Sequence, residues 1–398
     1  MSEQIWEVQR HHQYERNHFF WGAGCIDNVG SLLEEIGAER PMLVCGRNVG
    51  SNEFVMDRIN EAFGDRLVDI YRGVRPNVPQ EKADKGVERK REHDADCVVS
   101  VGGGSASDTA KAIVTKDAEA GRSWDDLRSV ITEKGEMDIP VLPEPKDPVV
   151  AISTTLSAAE VSEAFGVTGA EEGKLVVDEK VRSTGCFYDP ELAATSPPYV
   201  IASSGMNALD HAVEVIYSDV TGENEYYQAT AEKATKLLFE NLETAVNERD
   251  EDAIEKVLVG SSLSALGIIG GYSINHAMNH VLARMHDVTH GEGNSIILPH
   301  GIRYNYEAVP GRVMRIADAM GIRDDVSDDE RLEILLEEID ALQQALDVPR
   351  SMTEAGVDPV TDDHLRELAE HAAMDPGMAS NPRPVSPDDA FRILKDVW

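Results

Sequence analysis

Apolar residues in the first half of the chain gather into short continuous runs: Met42–Cys45, Leu67–Tyr71, Cys97–Val101 and Val149–Ile152, with weaker ones at Leu175–Val177 and Cys186–Tyr188. The runs are rich in β-branched residues, and this pattern predicts strands buried on both faces. Val29–Ile36, Asn52–Phe63 and Gln80–Glu92 instead repeat apolar positions every three or four residues, as helices do. Strands alternating with helices predict an open, mostly parallel sheet. From about Pro190 the pattern changes. Tyr199–Ser218, Tyr226–Asn247, Asp252–Leu266, Gly271–Met285, Arg312–Met320, Asp328–Leu346, Thr361–Ala372 and Pro387–Val397 all read as helices, with no strand run among them. The chain therefore divides near residue 192 into an α/β domain, 1–192, and an all-helical domain, 193–398, packed around a shared cleft.

Composition narrows the picture. With 398 residues and 41% hydrophobic content, the chain can bury real cores, which excludes disorder. Its 37 Lys and Arg face 73 Asp and Glu, a formal net charge of −36. Such a charge repels phosphate backbones and anionic lipid alike, so neither nucleic acid nor a membrane is an expected partner. Acids spread along the whole chain and few lysines suggest a surface suited to concentrated salt, as in a halophilic organism. Cys25, Cys45, Cys97 and Cys186 stand far apart, which argues against a disulfide framework. The N-terminus shows no signal-peptide pattern and no apolar run is long enough to cross a membrane, so a cytoplasmic enzyme is expected.

Candidate chemistry begins where the run Cys97–Val101 passes into Gly102-Gly103-Gly104-Ser105-Ala106-Ser107-Asp108-Thr109-Ala110-Lys111. Three glycines between a strand and a helix let the backbone approach a phosphate, and the helix start offers free N–H groups and partial positive charge. The turn therefore points to nucleotide binding. In the second half, Asn207 and His211 are four apart, His276 and His280 are four apart, and His290 follows in the next loop. Four-residue spacing puts each pair on one helix face, so two helices and a loop can bring these groups to one point. Imidazoles there suit Fe or Zn, or can relay a proton at neutral pH. His11, His12 and His18 form a separate cluster that reads as solvated or edge-strand.

The motif Gly102-Gly103-Gly104-Ser105-x-x-Asp108-x-x-Lys111 resembles the cofactor motif of the iron-containing alcohol dehydrogenase family, and Asn381-Pro382-Arg383-Pro384 resembles that family's C-terminus. The resemblance implies a Rossmann-like N-terminal domain, an all-α C-terminal domain, a nicotinamide cofactor in the cleft, and hydride transfer between an alcohol and a carbonyl. It also implies cofactor contacts from Thr154, Thr155 and Lys174, and a homodimer. Gly46 and Arg47 would face the adenosine ribose. An acid there favours NAD, whereas Gly46-Arg47 offers a cation to a 2′-phosphate, so NADP(H) is expected to be accepted.

The family's metal set places Asp, His, His and His at positions matching Asn207, His211, His276 and His290. Asn207 is a neutral amide where a carboxylate belongs, so affinity for Fe or Zn falls. Asp210 lies roughly 300° further round the helix and cannot simply replace it. Ser153-Thr154-Thr155-Leu156-Ser157-Ala158-Ala159-Glu160 is shorter by one residue than the usual family turn. That turn and Asn207 are similar to the maleylacetate reductase branch, which reduces a double bond conjugated to an oxo acid without a metal. Chain length and Arg383-Pro384 look more like the metal-dependent members. Three readings stand open: a metal-independent reductase of a small carbonyl or oxo acid with His280 relaying the proton beside His211 and His276, a metal-dependent alcohol dehydrogenase, and a nucleotide-binding protein without catalysis.

Overall fold

The structure, a computed structural model, describes residues 18–131, 137–169, 173–286 and 288–398. His11 and His12 lie outside them. Six parallel strands form the main sheet: β1 (His18–Trp21), β2 (Pro41–Cys45), β3 (Asp69–Tyr71), β4 (Cys97–Gly102), β5 (Val149–Ser153) and β6 (Gly185–Tyr188), in the order β1-β6-β5-β4-β2-β3. Register pairs Leu43 with Val99 and with Ile70, and Val99 with Val150. Every residue of β2, β4 and β5 is buried. Alternate residues serve opposite faces. Met42, Val44, Val98 and Val149 pack with Ala110 and Ile113 on one side, while Leu43, Val99, Val101 and Ile152 pack with Leu32, Leu33 and Ile59 on the other.

The helices of this half are α1 (Val29–Ile36), α2 (Glu53–Phe63), α3 (Gln80–Glu92) and α4 (Gly104–Ala118). The chain leaves β2 outward to β3 and then returns to β4 on the opposite edge of β2, so strand order reverses between β2 and β4. At such a switch the loops leaving the two strands diverge and open a crevice beyond their carboxyl ends. One expectation is corrected: Leu175–Val177 lies outside the main sheet. It belongs to an antiparallel hairpin, Ala164–Thr168 with Gly173–Val177, because only alternate residues there find apolar cover.

The second half contains α5 (Pro198–Tyr217), α6 (Glu225–Asn247), α7 (Glu251–Ser264), α8 (Ile274–His286), α9 (His290–Tyr306), α10 (Pro310–Ala319), α11 (Asp328–Ala345), α12 (Asp362–Ala373) and α13 (Pro387–Val397). The two halves share one apolar cluster in which Leu156, Cys186 and Tyr188 meet Ile201, Leu209 and Leu242. Helix α9 replaces the loop expected around His290. Its glycines and the internal Pro299 are poor helix formers, yet Thr289 and Glu292 close a capping box at its start. Gly293 earns its place by packing: a Cβ there would collide with the Asn279 amide. Among the described residues no helix is long and apolar enough to cross a membrane.

Candidate active site

Two structures face each other across the junction of the halves. On the sheet side, Gly102 takes φ +143°, and β4 turns into α4 through Gly103, the residue preceding the helix. A Cβ on Gly103 would lie 2.7 Å from Oγ1 of Thr155, so only glycine leaves this turn open under Thr155. By helix geometry the N–H groups of Gly104 and Ser105 have no acceptor within α4. The turn thus has the free donors and clear backbone that a diphosphate needs.

The other cofactor candidates separate on inspection. Thr155 is half-exposed over the turn, whereas Thr154 is buried, its N–H bonded to Gly102 O (2.9 Å) and its carbonyl to Ser196 Oγ (2.7 Å). Thr154 is therefore held through its backbone, which fixes the loop in place. Asp108 accepts from the Gly166 N–H (3.3 Å) and so ties α4 to the hairpin; burial first, opposed by Lys111, raises its pKa to about 6. Lys111 is buried, its Nζ donating to the carbonyls of Ala159 (2.5 Å) and Ser162 (2.8 Å). Lys174 pairs with Asp125 at 2.8 Å. Gly46 and Arg47 follow β2 directly, beside the β4 turn.

On the helical side, α5 contributes Asn207, Asp210, His211 and Glu214, α8 contributes His276, Asn279 and His280, and α9 contributes His290 and Asn294. Three amides form one oriented row. Asn279 Nδ2 donates to the backbone carbonyl of His290 (3.0 Å) and to Asn294 Oδ1 (2.7 Å). Asn294 Nδ2 then donates to Asn207 Oδ1 (2.8 Å) and to Nε2 of His276 (3.1 Å), and Asn207 Nδ2 donates to Nε2 of His211 (3.0 Å). A backbone carbonyl can only accept, so the His290 carbonyl fixes the direction of the whole row. Both Nε2 atoms are consequently acceptors.

The other edge of His276 meets two carboxylates. Its Nδ1 lies 2.5 Å from Glu214 and 3.1 Å from Asp210. Glu214 also accepts from the N–H groups of Ser273 (3.0 Å) and Asn275 (2.9 Å), so one carboxylate caps the start of α8 and orients the imidazole. Burial opposes charge on His276 while Glu214 and Asp210 favour it and raise its pKa; the Asn294 N–H facing Nε2 opposes the second proton, so the ring keeps its one proton on Nδ1, between the carboxylates. Asp210 is itself pushed up, first by burial and then by Glu214. The rings of His211 and His276 lie 5.0 Å apart, and burial holds His211 well below its usual pKa.

His280 faces the cleft with 39% of its side chain exposed, and its Nδ1 is 2.9 Å from Asp375. His290 is exposed on the same cleft, 5.8 Å from the His280 ring, and desolvation with the neighbouring His280 and His276 lowers its pKa to about 3. The structure thus brings Asn207, His211, His276, His280 and His290 together. Asp375, Asn279 and Asn294 were not anticipated. Asn294, four residues after His290, would have had a spacing signal only if 290–306 had been read as a helix; Asp375 had none.

The family's metal set would hold iron at Asn207, His211, His276 and His290, and here that set offers the ion no carboxylate; Asp210, Glu214 and His276 are a buried group whose ligand atoms lie within 4.8 Å of one another. The two buried Nε2 atoms accept amide protons, Asn207 supplies no negative charge, and Asp210 and Glu214 crowd the opposite edge of His276, where they are held by Asn275, Ser273 and backbone N–H groups. A divalent ion needs lone pairs and anionic ligands directed at one point.

A glycine turn at a topological switch, facing a cleft of histidines, defines a nucleotide-dependent oxidoreductase fold. Residues 17–190 match the family described as Iron-containing alcohol dehydrogenase, and residues 201–398 match Fe-containing alcohol dehydrogenase family, C-terminal. The chain belongs to this family. It is 30% identical to the NAD-dependent methanol dehydrogenase of Bacillus methanolicus, over 94% of this chain and 97% of that one. Among solved structures it is similar to a 1,3-propanediol oxidoreductase, with TM-score 0.86 and 27% identity over 96% of this chain and 98% of that chain. It shares its fold with maleylacetate reductase from Agrobacterium tumefaciens, with TM-score 0.76 and 24% identity over 96% of each.

Proposed function

We propose that this oxidoreductase reduces a small carbonyl or an unsaturated oxo acid with a nicotinamide cofactor and without a metal ion, as the maleylacetate reductase branch is understood to do. The oriented amide row carries the reading, because it places N–H donors on the Nε2 atoms of His211 and His276, where the metal-dependent members direct lone pairs at an ion. The cofactor's part is to supply a hydride from C4. Gly103, Gly104 and Ser105 would hold its diphosphate, Thr155 would flank the approach to the cleft, and Arg47 would meet the adenosine ribose and admit NADP(H). The division into domains at residue 192 goes with this arrangement.

His280 supplies the proton. With Asp375 accepting from Nδ1, the ring gives a proton to the substrate from Nε2 when it carries both protons, and Asp375 stabilises that cation; after the transfer Nε2 is left as an acceptor. Hydride reaching a carbonyl carbon leaves charge on oxygen, and the proton from His280 completes the alcohol. With a conjugated double bond, hydride adds at the far carbon and the proton completes the carbon next to the carbonyl. The exposed acids support a protein that works in concentrated salt.

Elemental analysis of tag-free protein purified without chelator tests the reading. Less than about a tenth of an equivalent of Fe or Zn in protein that oxidises NAD(P)H supports it. Near one equivalent, with activity lost on chelation, overturns it in favour of a metal-dependent alcohol dehydrogenase.

A further inference from the structure

In a chain of net charge −36, most arginines of the first half find a carboxylate: Arg40, Arg58, Arg66, Arg89 and Arg91 all do. Arg47, Arg72 and Arg75 have none within 4 Å among the described residues, and all three leave the carboxyl ends of the adjacent strands β2 and β3. Arg72 is exposed, yet its stem is fixed: Nε donates to Gly50 O (3.1 Å), and a Cβ on Gly50 would lie 2.9 Å from the Arg72 Cδ. Arg75 donates to Val74 O (2.7 Å), and Val74 in turn bonds Cys45 O at the end of β2. Three guanidiniums on the loops that leave two adjacent strands, with no carboxylate within ion-pair distance among the described residues, keep their charge for an external anion.

The sheet order says which anion. β4 carries the glycine turn, β2 is its neighbour and β3 is next, each step about 4.8 Å. A nucleotide with its diphosphate on the β4 turn extends its adenosine half across the ends of β2 and β3. We infer that Arg72, with Arg47 and Arg75 on the same two loops, forms a subsite for the 2′-phosphate of NADP(H), in which Arg72 is the main determinant of cofactor choice. This rests on the nucleotide reading of the β4 turn and goes beyond the single cation at Arg47. A guanidinium braced by a backbone carbonyl keeps its outer nitrogens free for a paired contact with phosphate, which resists salt better than a loose lysine does.

The test is equilibrium binding by calorimetry at one fixed ionic strength, with 2′,5′-ADP and 5′-AMP as probes, which differ only in the 2′-phosphate. The wild-type protein is expected to bind 2′,5′-ADP at least tenfold tighter. Arg72→Ala should cut that ratio to threefold or less, while Arg72→Lys keeps an intermediate ratio, with unchanged circular dichroism confirming that both variants fold. A wild-type ratio within twofold, or an Arg72→Ala ratio equal to wild type, overturns the subsite while binding of 5′-AMP leaves the nucleotide reading intact. Failure of both probes and of NADH to bind overturns both.

Discussion

The side-chain amide of Asn207 donates to Nε2 of His211 at 3.0 Å, and its own oxygen is already taken by Asn294. A carboxylate at 207 would turn a lone pair toward that nitrogen in place of a proton. Two acceptors then face each other in a buried site, and a cation between them relieves the conflict. Asn207→Asp is therefore expected to acquire about one equivalent of Fe or Zn when purified with the metal, and its melting temperature should fall on adding chelator. Wild-type melting should ignore the chelator. Asn207→Asp protein that stays metal-free and melts like wild type would show that the amide row is not what keeps a metal out.

His211 also sets a pH dependence. Burial lowers its folded pKa far below 6.5, so the folded state binds fewer protons than the unfolded chain below that pH. The contribution is fully present above the unfolded value of about 6.5 and is lost as pH falls toward the folded one. His290, lowered to about 3, acts with the same sign, discounted for its exposure. Unfolding free energy at constant salt should therefore fall by on the order of 1 kcal/mol per pH unit between about 6.5 and 5 from His211 alone. Denaturant melts of His211→Gln, which cannot take up that proton, should show a shallower slope; equal slopes count against a neutral buried His211.

The contact between His280 and Asp375 joins residues 95 apart, and through it Asp375 acts as a positioning residue. Removing the proton donor with His280→Ala should cost about 10²–10⁴ in kcat. Asp375→Asn keeps the size of the side chain but gives up the charge that fixes the ring, so a smaller loss in kcat, about tenfold, is expected with KM nearly unchanged. A merely structural Asp375 would instead lower the melting temperature and leave the kcat of folded protein alone.

Local signals were legible in the sequence and long-range ones were not. The buried strand Cys97–Gly102 and the glycine turn after it form one continuous stretch, so composition and spacing marked both. The histidine pairs could be placed because four-residue spacing depends only on helix geometry. Helix α9 escaped because its glycines and Pro299 lower intrinsic propensity, while what stabilises it, close packing on Asn279 and the Thr289–Glu292 box, is tertiary or only four residues long. Asp210, set aside on helix angle, lies only about 60° round α5 from Asn207 and joins the same cluster. Its true position, against the other edge of His276, depended on how α5 and α8 cross, which no spacing within one helix encodes.

Surface charge gives the last prediction. A net charge of −36 on one chain means that carboxylates repel one another wherever cations do not intervene, and this repulsion opposes the compact state. Lys90 and Arg312 are each shared between two acids, and with 37 Lys and Arg against 73 Asp and Glu the cations are too few to neutralise every carboxylate. Raising KCl from about 0.1 M to above 1 M shortens the screening length from about 10 Å to 3 Å, below the spacing of most surface charges. The melting temperature is therefore expected to climb steeply over the first molar and more slowly beyond it, where screening is nearly complete. KCl and NaCl should act alike, because the effect depends on ionic strength alone. A melting temperature that falls with salt would mean that the ion pairs outweigh the repulsion, and the surface would then not be one that requires salt.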